Sequence, residues 1–281
     1  MKKVAIITDS SAYLPDTIVE ELGIHVVPLT LHWGDDTYRD GEDIQAEEFY
    51  ARLAEADTLP TTSQPTVREF TQLFGRLLEA DYAVLALLIS SGLSGTVDSA
   101  LQAQKDFPDA PLAVYDSRLV SMSLGFMVMK VARAAKAGAS LEECLALAEE
   151  VYPKIGVYFT VDTLKYLYMG GRINTAKRVM GSALNIKPIM EIRDGKIELI
   201  ESVRSRKKAL ARMLEMVARD LDGCESMRIS TFHAAADEEN QTLLAQAVER
   251  FNPIETVSTF VSPVIGTHTG PGTVSIAYQM E

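Results

Sequence analysis

Cysteine is scarce in this chain: there are two in 281 residues, Cys144 and Cys224, and no C-x-x-C. That excludes a disulfide framework and a thiolate metal site, and leaves each as a small buried hydrophobe. The four histidines, His25, His32, His233 and His268, are scattered without H-E-x-x-H or H-x-H, so metal ligation has no support. Positive charge is in deficit, with 27 Lys and Arg against 39 Asp and Glu and a formal charge of −12. A field of that sign repels nucleic acid and anionic membranes, which confines any anion site to a local arrangement. No apolar run reaches the ~18 residues of a membrane span. The longest are 83–89 and 124–135, and the second carries Lys130 and Arg133. The apolar start after Lys2-Lys3 meets Asp9 too soon for a secretory leader, so the expectation is a soluble cytoplasmic chain. A phosphate-loop G-x-x-x-x-G-K-[ST] and a G-x-S-x-G nucleophile elbow are also missing.

What is present is the material of ordinary cores, 47% hydrophobic and 23% charged residues, which at this length favours two domains. Apolar runs alternate with helical periods to about residue 150, the pattern of parallel strands joined by crossover helices. Strands are predicted at 4–8, 25–31, 83–89 and 112–115, and helices at 14–22, 46–55, 97–107 and 122–136. Thr66 with Glu69 and Ser140 with Glu143 are capping boxes that start two more helices. Residues 34–43 read as a surface loop or lid, and 59–65 as a turn. After Pro153 the pattern turns mixed: strands at 157–161 and 188–192, a hairpin at Asp194-Gly195, and strands at 227–232, 255–260 and 274–279. Helices are predicted there at 205–221 and 238–251. The fold class expected is α/β in two domains. Residues 1–154 carry a mostly parallel Rossmann-like sheet, and 155–281 a mixed α/β sheet.

The strongest local signal is Ser90-Ser91-Gly92-Leu93-Ser94-Gly95-Thr96, between a buried strand and a helix. Such a turn aims backbone N–H groups and a helix N-terminus at an anionic head group, with Ser94 as cap and ligand. Equally, the serines only cap the helix and the glycines only make the turn. Thr61-Thr62-Ser63-Gln64, clamped between Pro60 and Pro65, offers four polar side chains, or is merely a turn and cap. Asp9-Ser10-Ser11 ends the first strand on the same sheet edge, so three hydroxyl-rich segments are expected to converge on one crevice. His25 and His32 read as strand packing. His268 differs because it lies in Gly266-Thr267-His268-Thr269-Gly270-Pro271-Gly272, where a constrained turn can point the imidazole into a cleft or serve structure alone. Gly170-Gly171-Arg172 is a glycine-supported cation for a carboxylate or an internal ion pair. Arg204, Arg206, Lys207 and Lys208 cluster at a helix start, against the macrodipole, as a partner surface or a solvated face. Met122, Met127 and Met129 suit either a tunnel wall or the core.

Taken in order, these segments resemble the DegV family of lipid-binding proteins. The likeness runs over the whole chain and adds Thr8-Asp9-Ser10-Ser11, Asp162-Thr163-Leu164-Lys165-Tyr166-Leu167 and Asn185-Ile186-Lys187-Pro188-Ile189 to the motifs above. It implies a two-domain α/β protein that holds one long-chain fatty acid, such as palmitate, in a tunnel between its domains, with no cofactor and no turnover of its own. In relatives that work with a fatty-acid kinase, the bound carboxylate is presented for ATP-dependent phosphorylation and the acyl-phosphate is carried onward. The resemblance puts the carboxylate-binding hydroxyls on Thr62 and Ser94, a second ring on Arg172 and His268, and kinase docking on Arg204, Arg206 and Lys207. A departure is Tyr168-Met169 before Gly170, where many relatives have a basic residue. A monomer is the default. The reading from another class is a hydrolase or phosphotransferase acting on an acyl or phosphate ester, with Ser94 as nucleophile and His268 as base.

Overall fold

The computed structural model describes residues 2–56, 58–173 and 186–281, so Asn185 of the Asn185-Ile186-Lys187-Pro188-Ile189 motif lies outside the described residues. The N-terminal lobe begins with β1 (Val4–Asp9), α1 (Asp16–Leu22), β2 (His25–Val27), β3 (Thr30–Trp33) and β4 (Asp36–Arg39). It continues through α2 (Ala46–Glu55), β5 (Thr61–Ser63), α3 (Val67–Glu79), β6 (Ala83–Leu88), α4 (Thr96–Gln104), β7 (Leu112–Asp116), α5 (Ser121–Lys136) and α6 (Leu141–Val151). The C-terminal lobe adds β8 (Ile155–Thr160), α7 (Lys165–Met169), β9 (Lys187–Arg193), β10 (Lys196–Val203) and α8 (Arg206–Asp220). It ends with β11 (Met227–His233), α9 (Asp237–Phe251), β12 (Glu255–Phe260), α10 (Pro263–Thr269) and β13 (Val274–Met280).

Four strands form a parallel sheet in the order β2-β1-β6-β7. β1 and β6 are buried along their whole length, as unbroken apolar runs require of strands covered on both faces. α3 and α4 cover one face, and α1, α5 and α6 the other. The second sheet runs β10-β9-β8-β13-β11-β12 and is antiparallel except for the β11–β12 pair. The α/β class, with one parallel and one mixed sheet, is the one expected. Asp194 and Gly195 turn the β9–β10 hairpin with φ of 48° and 76°, the left-handed pair that a two-residue hairpin favours.

α5 packs on β1 and β6 and also on β8 and β13, so it lies between the two sheets. A helix sandwiched in this way must be apolar all round, and residues 121–129 are buried without a break. Met122, Met127 and Met129, read from sequence as wall or core, therefore sit in the core, while Ser121 reaches the cavity described below. Among the polar joints that cross between the lobes are one at the β9–β10 hairpin and one on α5. Ser90 Oγ donates to the Gly195 carbonyl at 2.7 Å, and Arg133 holds Glu255 through two hydrogen bonds of 2.6 and 2.8 Å.

Three segments differ from the sequence expectation. The strand expected at 25–31 is broken, because Pro28 has no N–H to give a ladder: β2 stays in the parallel sheet and β3 leaves it. The expected lid at 34–43 is a hairpin, with β4 antiparallel to β3 and the following Asp40 only 2% exposed. The expected turn at 59–65 contains β5, which pairs with the other side of β3. The resulting small sheet, β4-β3-β5, carries Thr62 opposite Leu31.

Candidate ligand-binding site

Between the lobes lies a cavity with about 850 Å³ of empty volume, counting its opening to solvent. Leu29, Ile89 and Val120 line it from the N-terminal lobe, and Val157, Phe232 and Val264 from the C-terminal lobe. Thr62, Gln64, Ser94, Arg172 and His268 supply its main polar wall. The four residues singled out in sequence thus come together from β5, the turn before α4, the segment after α7, and α10.

His268 and Thr62 meet directly, with Nε2 and Oγ1 2.7 Å apart. His268 Nδ1 is buried without a hydrogen-bond partner among the described residues. Burial, helped by the nearby positive Arg172, pushes the imidazole pKa from 6.5 down to about 4. The ring is therefore neutral near pH 7, and the tautomer sets the direction of its contact with Thr62: as the Nε2–H form it donates to Thr62 Oγ1, whose own O–H is then left to give to a ligand. The unfolded chain takes up a proton below pH 6.5 and the folded chain only near 4. Stability from the neutral ring is therefore complete above pH 6.5 and falls at roughly 1.4 kcal/mol per unit as pH drops. His268→Gln is expected to lose less stability than the wild type across that window, measured by denaturant unfolding.

Ser94 Oγ lies 2.8 Å from Thr96 Oγ1 and 3.4 Å from the Thr96 amide, and Gly95 takes the N-cap position expected for Ser94. The Leu93 and Ser94 amides both donate to the Ser90 carbonyl, so those two do not aim at a ligand. Gly95 has a packing reason as well: a Cβ there would stand 2.5 Å from Gln64 Nε2. Arg172 donates from Nε to the Leu93 carbonyl at 3.3 Å and from Nη1 to the Gly170 carbonyl at 2.5 Å. Among the described residues its guanidinium meets no carboxylate, and burial lowers its pKa. The Ser94–His268 pair of the hydrolase reading does not form, since each faces a threonine.

The third hydroxyl segment does not join this cavity. Asp9 is fully buried and ties strand ends together: Oδ2 accepts from the Ile89 amide at 2.7 Å, and Oδ1 from the Ser11 amide and hydroxyl. Ser10 Oγ accepts from the Leu29 amide at 3.0 Å. Nor does Arg206 face outward. It grips Glu239 through Nε and Nη2, donates to the Gly272 carbonyl, and is 14% exposed, whereas Arg204 and Lys207 are exposed. An arginine opposing the macrodipole is held there by Glu239 in the first turn of α9, so a local cost read as recognition has an internal counterpart.

Two elements behind the site escaped the sequence reading. α7 and α10 are five and seven residues long, too short for a periodic pattern, although Ser262-Pro263 is a helix start signal: Ser262 Oγ accepts from the Ile265 amide. The Gly170 and Gly270 positions let these helices pack: a Cβ at 170 would stand 2.2 Å from His268 Nδ1, and one at 270 would stand 2.2 Å from the Tyr166 ring.

The chain is thus a two-lobed α/β protein whose largely apolar interlobe cavity is bounded at one side by hydroxyls, an imidazole and a guanidinium, the make-up of a small-molecule site. The chain belongs to the DegV family: the family model, described as an uncharacterised protein of the DegV family, matches residues 3–281. A DegV domain-containing protein of Listeria innocua is 35% identical over all of this chain and 99% of its own. A DegV family protein of Thermus thermophilus, whose structure is described by its fatty-acid binding, superimposes with a TM-score of 0.94 at 32% identity over 100% of both chains. DegV of Bacillus subtilis, described as a fatty acid binding protein, gives 0.91 at 33% over the full length of both. A stearic acid-binding protein of Eubacterium ventriosum gives 0.91 at 27%, over 100% of this chain and 98% of that one. No helix among the described residues is long and apolar enough to cross a membrane, and none of their His, Cys, Asp and Glu groups is arranged to hold a metal.

Proposed function

We propose that this protein carries one long-chain fatty acid, such as palmitate, with its tail in the interlobe cavity and its carboxylate at Thr62 and Ser94. Arg172 and His268 stand behind that pair. The observation that carries the reading is the pairing of an apolar cavity with a half-buried guanidinium that meets only carbonyls among the described residues. Such a cation is completed by an anion. Thr62 and Ser94 hold the head group directly as neutral hydroxyls while Arg172, anchored on two carbonyls behind them, balances its charge from a distance, so phosphorylation breaks no direct ion pair. The protein thus presents the carboxylate to a fatty-acid kinase, has no turnover of its own, and works as a cytoplasmic monomer. Arg204 and Lys207, exposed at the start of α8, are the docking residues in this reading, and Arg206 braces the turn beneath them.

Native mass spectrometry of the purified protein tests the first part. A co-purifying mass equal to hexadecanoic or octadecanoic acid, released on denaturation, is expected. An empty protein with esterase or phosphatase turnover would replace the carrier reading by the hydrolase one. Ser94→Ala is expected to weaken fatty-acid binding by roughly tenfold, the worth of one hydrogen bond to a charged group, and to slow acyl-phosphate formation. Unchanged affinity and turnover would remove Ser94 from the site.

A further inference from the structure

Asp40 comes from the segment that reads in sequence as an exposed lid, yet it is 2% exposed and sits where the hairpin meets the other lobe. Its backbone amide donates to the Leu29 carbonyl at 2.9 Å, which fixes its position beside β3. Its Oδ1 accepts from the amide of Val264, the second residue of α10, at 3.4 Å. The first-turn amides of a helix have no intrahelical acceptor, so a carboxylate there both satisfies a donor and holds the helix end. A second anchor comes from α2: Tyr50 Oη donates to the Val261 carbonyl at 2.8 Å, and the phenol lies on Gly266, where a Cβ would stand 2.1 Å from Oη. α10 belongs by sequence to the C-terminal lobe, but its start is therefore seated on the N-terminal one. His268 lies near the end of this short helix and reaches Thr62 on β5. Asp40 lines the neighbouring crevice with Ser10 and Tyr13 and is not among the residues of the ligand cavity.

We propose that Asp40 is a positioning residue of the head-group site: by holding the start of α10 it sets His268 against Thr62 without touching the ligand. The assignment rests on the fatty-acid reading. A displaced α10 carries the imidazole away from Thr62, which loosens the grip on a carboxylate and leaves the apolar wall for the tail in place. The loss is therefore specific to the acidic head.

The test compares hexadecanoic acid with hexadecanol, each competing against a fluorescent fatty acid. Asp40→Ala is expected to weaken the acid by about tenfold, the upper end of what one hydrogen bond contributes, and the alcohol by much less. Asp40→Asn keeps an acceptor for the Val264 amide and is expected to restore acid binding. In a His268→Gln background the Asp40→Ala loss is expected to disappear, since coupled residues are non-additive. Should Asp40→Ala fail to fold, Tyr50→Phe removes the second anchor and is expected to show the same selectivity. Equal losses for acid and alcohol, or full additivity with His268→Gln, overturn the positioning role while the fatty-acid reading stands. A wild type that binds neither compound overturns both.

Discussion

Decanoic acid is expected to bind a few thousandfold more weakly than hexadecanoic acid, the largest effect of any single change in ligand or protein considered for this site. The two differ by six methylenes at ~0.8 kcal/mol each, a gross difference of about 5 kcal/mol, and each 1.4 kcal/mol is tenfold in affinity. The walls that collect this energy are aliphatic and aromatic side chains of both lobes, among them Leu29, Ile89, Val157 and Phe232. A hydrogen bond to the carboxylate contributes roughly 1.5–3 kcal/mol, so the tail outweighs any one contact at the head. In the fatty-acid reading the head orients and the tail binds. Titration of a saturated acid series from ten to eighteen carbons, by displacement of a fluorescent analogue, reads the slope directly. A flat series would mean that the cavity does not hold the chain, and the carrier reading would go with it.

Gly170→Ala is expected to cost 10- to 100-fold in fatty-acid affinity with little change in secondary structure. The backbone at 170 is ordinary right-handed helical, φ −73° and ψ −11°, so alanine is accepted there without strain. The obstacle is the imidazole: the added Cβ would stand 2.2 Å from His268 Nδ1. The ring must move, and its 2.7 Å contact with Thr62 is broken. Overpacking of this kind costs roughly 1–3 kcal/mol, which ligand binding feels directly if the displaced imidazole belongs to the site as proposed. Gly171→Ala is the control. That position has φ +71° with no atom of the described residues within 4 Å of a new Cβ, so it strains the backbone but leaves the imidazole alone. Circular dichroism together with binding separates the two. A Gly170→Ala protein that binds as the wild type does would show that His268 is dispensable.

Much of the fold was legible because its signals are local. Capping boxes at Thr66 and Ser140 start α3 and α6 where the side chains can close them. The unbroken apolar run of β6 announces a strand covered on both faces, and Asp194-Gly195 forces a tight hairpin. Thr62, Ser94, Arg172 and His268, the residues proposed for the head group, could be singled out too, since hydroxyls and cations beside glycines and prolines stand out from an apolar chain, and the structure brings all four to one cavity. Less accessible were the relations among them. Thr62 reads as part of a turn until β3 leaves the parallel sheet at Pro28 and offers β5 an edge. Asp9 and Ser10 look like ligands until their acceptors are found occupied by the Ile89 and Leu29 amides.

By itself, then, the amino-acid order determined the α/β class, the hydrophobic segments that build the cores, and the chemical types gathered near the cavity. These follow from periodicity and backbone chemistry within a few residues. Only the tertiary structure decided that Arg206 points inward, that the methionines of α5 pack between two sheets, and that Asp40 lies buried under α10. Each of those outcomes depends on which distant segment covers a side chain, and burial of that kind is a property of three-dimensional packing.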